Sequence, residues 1–181
     1  MAEYEEVGTN PCSDTIEMEP VKKKGEIVII APHADDEIIG CFEILRSNKC
    51  AIVYTERMSP ERQKEIMTLK NYLDNPIMQF FLSQVPQSLM NPDNTYYFPD
   101  PIYEFHPAHR KQGHLGEQML RDGFNVIFYS IQMNAPYIHE LKEGTMVEKM
   151  SLLDNVYPSQ MSLWNNDAKY YLFEGRNKWI M

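Results

Sequence analysis

The 181-residue sequence predicts an α/β fold in which helices flank a mostly parallel sheet. Two observations carry this. The run Ile27-Val28-Ile29-Ile30-Ala31 is apolar without alternation, as in a strand covered on both faces, and a second run, Ala51-Ile52-Val53-Tyr54-Thr55, follows one helix-length later. Strand, crossover helix and strand make parallel pairing with a right-handed connection the expected arrangement.

Residues 1–25 mix Glu3, Glu5, Glu6, Asp14, Glu17 and Glu19 with Pro11 and Pro20 and end in Lys22, Lys23 and Lys24. They read as a flexible, surface-laid arm, the lysines being a solvated approach to the first strand. Residues 26–181 show no repeat, linker or break in composition, and are read as one domain. After the strand over 26–31, Pro32-His33-Ala34 turns into a helix over 35–45. Asp35, Asp36 and Glu37 sit at its positive start, and Ile38, Phe42 and Leu45 share one side. Ser59 is placed to cap a second helix, with Pro60 at its first position, Glu61 in its first turn and Ile66, Leu69 and Leu73 on its buried face.

Residues 78–82 read as a third strand. Residues 85–101 contain Pro86, Pro92, Pro99 and Pro101 and read as a long loop, a site wall or lid. Beyond it the pattern predicts a short helix over 115–120 and a strand over 125–130. A helix over 144–155 centred on Val147, Met150 and Leu153 and a strand over 170–173 complete the prediction.

Composition limits the function. A hydrophobic content of 43 % gives material for a core. With 17 Lys+Arg against 26 Asp+Glu the formal charge is −9, which argues against a broad phosphate-binding surface, so no nucleic-acid partner is expected. Cys12, Cys41 and Cys50 have neither CxxC nor CxxH spacing, so a disulfide scaffold or a cysteine zinc site is not indicated and a reducing compartment is expected. No segment reads as a signal peptide or bilayer span. The expectation is a soluble, cytoplasmic protein without stable membrane insertion, its oligomeric state open. Dinucleotide and Walker glycine patterns are absent.

The chemistry concentrates in two segments. Pro32-His33-Ala34-Asp35-Asp36-Glu37 follows a buried strand, and the carboxyl ends of strands in open α/β sheets are common ligand sites. His33 and Asp36 offer nitrogen and oxygen ligands to one divalent ion, and Asp35 can point elsewhere as a base. The plainer alternative is a helix start decorated with acids. In His106-Pro107-Ala108-His109 two imidazoles stand at i and i+3, so that one can ligate and the other face a substrate; alone, the segment reads rather as a polar surface turn, and it is the pairing with His33 and Asp36 that favours a metal. Tyr96, Tyr97, Phe98, Tyr103 and Phe105 form a candidate sugar platform, while Trp164, Tyr170, Tyr171 and Phe173 read as core. Asp100, Glu104, His114 and His139 read as surface or supporting groups.

Together the two segments resemble the LmbE-like (PIG-L-like) de-N-acetylases, whose PHxDDExxG signature matches Pro32 to Gly40 and whose HPxH segment matches His106 to His109. Arg62 with Glu65, and Tyr157-Pro158-Ser159-Gln160, are similar to two further family elements. The resemblance implies a compact LmbE-like fold on a Rossmann-like sheet. It also implies Zn2+, or another divalent transition metal, on His33, Asp36 and His109. Asp35 is then the base for metal-activated water, His106 the group that assists the oxyanion or substrate, and Arg62 a substrate-side residue. The expected reaction removes an N-acetyl or related N-acyl group from an amino sugar or its conjugate. A small-amide hydrolase of non-sugar substrates and a catalytically inactive sugar-binding protein are the alternatives. Arg62 and Glu65 also make an ordinary helix-surface pair, and Tyr157 to Gln160 an ordinary packed turn. A cationic His106 would serve the oxyanion best. Ala34 and Ala108 stand where the family often has Pro and Asp, the second change taking a support from a neighbouring histidine. The chain is also short for the group, which implies a more open substrate cavity.

Overall fold

The computed structural model describes residues 25–73, 77–79 and 85–177. The expected arm, apart from Gly25, lies outside them, as do Cys12 and residues 80–82 of the third expected strand.

β1 (Ile27–Ala31) is an inner strand of the sheet, its side chains alternating between two apolar layers: Ile29 and Ala31 face one, Val28 and Ile30 the other. It runs parallel to β2 (Cys50–Tyr54), with Ile29 opposite Ile52, and α1 (Asp36–Ser47) connects the two as expected. The Ser59 hydroxyl accepts the Arg62 N–H to cap α2 (Pro60–Leu69), which buries Ile66 and Leu69. β3 (Ile77–Gln79) is parallel to β2.

Residues 85–101 are not simply a loop. They hold β4 (Thr95–Pro99), parallel to β1 on one side and to β5 (Asn125–Ser130) on the other. Proline density hides this strand, yet Thr95 to Phe98 are free of proline and rich in strand formers, and Pro99 only closes it. Tyr96, Tyr97 and Phe98 are consequently core residues and not a sugar platform.

The helix expected over 115–120 is the end of a longer one, α3 (Pro107–Arg121). Gly113 and Gly116 lower helix propensity in its middle, but Gly116 is required: a Cβ there would lie 2.8 Å from the Phe98 ring and 2.9 Å from that of Phe128.

β6 (Tyr137–Glu140), wholly exposed, escapes the pattern. Of the three residues expected at the centre of α4 (Glu143–Val156), Leu153 is buried as expected but Val147 and Met150 are exposed, and Thr145, Lys149, Leu152 and Val156 are buried with Leu153. The fully buried Lys149 explains the error, because a charged residue inside the core reads as solvent-facing. α5 (Met161–Asn166) buries Trp164. The strand expected over 170–173 is instead the short α6 (Lys169–Leu172), leading into β7 (Phe173–Asn177).

The sheet order is β3-β2-β1-β4-β5-β7-β6, the first five strands parallel and β7 antiparallel to both neighbours. This is a mixed, mostly parallel α/β sheet. α1, α2 and α4 contribute to the layer on one face and α3 to that on the other. The strand order reverses between β1 and β4, and the crevice at their carboxyl ends is where such sheets bind ligands. Cys41 and Cys50 are free and buried, and no helix among the described residues is long and apolar enough to cross a membrane.

α1 departs from helical geometry at Cys41 (φ −138°, ψ 26°). Just before this break, a Cβ on Gly40 would lie 2.4 Å from the Tyr129 ring, whose hydroxyl donates to Ile30 O at 2.8 Å. Gly40→Ala should therefore lower stability by about 1–3 kcal/mol, the ordinary cost of overpacking a core, read as a drop in urea midpoint. An unchanged midpoint would mean that the ring has room to move.

Candidate metal centre

The two chemistry-bearing segments meet at the topological switch. β1 ends at Ala31, and the turn after it carries His33 and Asp35 and starts α1 at Asp36. From the other side, β4 ends at Pro99 and the following segment brings Glu104 and His106 to the start of α3, where Pro107 occupies the first turn and His109 points inward. Together they line a cleft of about 750 Å³.

His33, His106 and His109 cluster with ring nitrogens within 4.8 Å of one another, a set able to coordinate a metal ion. Asp36 lies closer still to two of them. His33 Nδ1 and His109 Nε2 face each other at 3.1 Å, and Asp36 Oδ2 lies 3.3 Å from the first and 3.0 Å from the second. Donors bound at ~2.0–2.1 Å in tetrahedral geometry stand about 3.3–3.4 Å apart, so this triangle is close to what zinc requires. Once His109 Nε2 is without its proton, the three are acceptors turned toward one point, the donor set of a cation site; Asp36 Oδ2 is held there by the His33 N–H, which donates to it at 2.7 Å.

The carboxylate and His109 are strongly polarised toward one another. Burial opposes ionisation of His109, but the adjacent Asp36 and then Glu104 outweigh it and push its pKa up to about 10. Burial likewise opposes the Asp36 carboxylate, yet His109 and His33 hold it well below the usual range. His109 Nδ1 donates to Glu104 Oε2 at 3.0 Å, which leaves Nε2 as the atom turned to the centre.

Asp35 occupies the left-handed region (φ 99°), unusual for any residue but glycine. Its carbonyl accepts the N–H groups of Ile38 and Ile39, its own N–H donates to Glu37 Oε2 at 3.1 Å, and its carboxylate meets Arg62 Nη2 at 3.2 Å. Burial, and after it the Asp36 charge, raise its pKa well above the carboxylate range, with Arg62 opposing. Arg62 thus holds the turn, donating also to Ala34 O, while lining the cleft.

His106 is the N-cap of α3, its Nδ1 accepting the Ala108 N–H at 3.2 Å. A neutral ring with that nitrogen as acceptor carries its proton on Nε2 and presents a donor. Although His106 is exposed, its local desolvation, and then His33 and His109, lower its pKa from the normal value, which favours the neutral ring over the cationic one that would serve an oxyanion best.

No family model, no characterised protein and no solved structure matches the chain.

Several residues that the sequence left as supporting or structural groups matter here. Glu104, read as a surface or supporting group, is 1 % exposed and joins His109 to Ile131 N–H, which donates to its Oε1 at 2.7 Å. It supplies from five residues upstream the support that Ala108 lacks. Glu37 accepts from the Tyr157 hydroxyl as well as from Asp35 N–H, and burial pushes its pKa up to about 7. Both oxygens of Glu65 receive Ser159, from N–H and from hydroxyl, each at 2.8 Å. The matched Tyr-x-Ser-Gln element therefore braces the first segment and α2 from behind. His114 pairs with Glu117 and His139 with Glu43, both on the surface, whereas Asp100 is fully buried and accepts the N–H groups of Ile102 and Tyr103. Of the aromatic group, Phe105 is 70 % exposed and lines the cleft.

Glu104→Gln should weaken metal binding by about 10–100-fold, because the amide no longer fixes His109 as a carboxylate does. Competition with a chromophoric chelator measures this, and an unchanged affinity would remove Glu104 from the centre.

Proposed function

We propose that this chain is a zinc-dependent hydrolase that removes an N-acetyl or related N-acyl group from an amino sugar or its conjugate, as do the LmbE-like de-N-acetylases its motifs resemble. The observation that carries the reading is the triangle of His33 Nδ1, Asp36 Oδ2 and His109 Nε2, with sides of 3.0–3.3 Å, and the neighbouring Asp35 in the same cleft. A nitrogen-rich set with one carboxylate suits zinc, and other divalent transition metals share these donors. His33, Asp36 and His109 would hold the ion, which when bound would supply Lewis acidity to the amide carbonyl and to water.

The protein's own groups do the rest. Asp35 takes a proton from the attacking water and returns it to the leaving amine. Arg62 keeps the Asp35 carboxylate in place and walls the cleft on the substrate side. His106, with Nδ1 engaged in the helix cap, offers Nε2–H to the developing oxyanion as a neutral donor. The same cap bond argues for Asp36 over His106 as the third metal ligand, since ligation through Nε2 would require the ring to give up its proton there.

Zinc content and acetate release measured on the same preparation test the proposal. About one zinc per chain and zinc-dependent release from N-acetylglucosamine conjugates are expected. Equal release from matched non-sugar acetamides would move the substrate to small amides. Sugar binding without release would leave an inactive binding protein, and full activity of zinc-free protein would overturn the mechanism.

A further inference from the structure

The break in α1 is bridged by side chains from elsewhere in the fold. In a continuous helix Ile39 O would accept the Glu43 N–H. Here Lys149 Nζ donates to Ile39 O at 2.6 Å, and Glu43 N–H donates to Glu174 Oε1 at 3.3 Å. The next carbonyl, Gly40 O, accepts from Arg176 Nη1. Lys149 belongs to α4, and Glu174 and Arg176 to β7. Lys149 is fully buried and Glu174 2 % exposed; their charges stand 3.8 Å apart, with Arg176 on the other Glu174 oxygen.

Such a buried pair is a weak source of stability, because desolvation offsets its attraction. Its geometric effect is specific. The two groups that would stitch the halves of α1 together are each given a partner, so residues 36–40 take a direction of their own. Those residues carry Asp36, one corner of the triangle, and follow directly on the strained Asp35.

We propose that Lys149 and Glu174 are positioning residues for the metal centre: by holding α1 open at Cys41, they set the angle at which residues 36–40 present Asp36 to His33 and His109. This rests on reading the triangle as a metal site. Neither side chain touches the triangle itself, so its effect travels through the helix backbone.

The test uses zinc and cobalt ions as probes on the full chain. Lys149→Met/Glu174→Gln removes both charges together, so that no carboxylate is left without Lys149; Arg176 loses its ion pair but keeps the Gly40 and Gly175 carbonyls. The double variant is expected to fold, with a far-ultraviolet spectrum like the parent's, to bind zinc at least tenfold more weakly and to shift the visible absorption of bound cobalt. Val126→Ala, a core truncation in the opposite layer, should lower the melting temperature without changing either metal readout. Equal zinc affinity and an unchanged cobalt spectrum in the folded double variant would overturn the positioning role. A parent chain that binds neither ion would instead overturn the metal reading. If the double variant does not fold, Lys149→Gln decides: weaker zinc binding than in Val126→Ala of equal melting temperature supports the role, and parent-like binding refutes it.

Discussion

Asp35→Gly is expected to lose acetate release by about 10²–10⁴-fold, the usual contribution of a general base, while melting no lower than the parent chain. The two effects share one cause. Asp35 sits at φ 99°, where a side chain costs on the order of 1–3 kcal/mol, and its carboxylate is buried beside that of Asp36. Glycine adopts this backbone freely, and its larger unfolded-state entropy takes back only about 0.5–1 kcal/mol. Arg62 loses one partner but keeps the Ala34 carbonyl and the Glu65 carboxylate. Asp35→Asn should lose activity to a similar degree without the relief of strain. Thermal melts and acetate release on both variants separate these effects; a glycine variant that keeps a tenth of the parental rate would exclude Asp35 as the base.

His109→Ala is expected to abolish zinc binding and to destabilise the metal-free protein by about 3–5 kcal/mol. The imidazole stands between two carboxylates, Asp36 and Glu104, that are 3 % and 1 % exposed, and its removal takes the paired ring from Glu104 and leaves Asp36 with His33. The pH dependence follows from the His109 pKa of about 10, raised from 6.5. A raised value means that the charged ring's stabilisation of the metal-free fold is fully present below about 6.5 and is lost as pH rises through 10. Zinc requires the same nitrogen without its proton, so its binding releases a proton at neutral pH. Apparent affinity should rise about tenfold per pH unit over that window. Calorimetry in buffers of different ionisation heat counts the proton, and uptake without proton release would contradict the assignment.

The parallel heart of the fold was legible because β1 and β2 are buried on both faces and contain nothing but apolar residues. The sequence misled wherever charge lies inside. Lys149 made the buried face of α4 look like its exposed one, and Glu174 and Arg176 made β7 look unlike a strand. β4 was concealed for another reason, its flanking prolines outweighing four good strand formers. Within the candidate site, His33, Asp35, Asp36, His106 and His109 all stood out through their spacing, and they line one cleft. Glu104 did not, because its role depends on a turn that brings residue 104 back over residue 109, and no helical period connects the two. Glu37 belonged to the matched motif, but its partner Tyr157 lies 120 residues away.

Glu104 also gives the cleft a property of its own. One oxygen fixes His109 and the other fixes the backbone at Ile131, beside Gln132 on the cleft wall. A rigid carboxylate cannot shift toward one partner without leaving the other, so the wall and the ligand answer to a single lever. Any displacement of Glu104 therefore reaches both places at once, loosening His109 and leaving the Ile131 N–H without its acceptor.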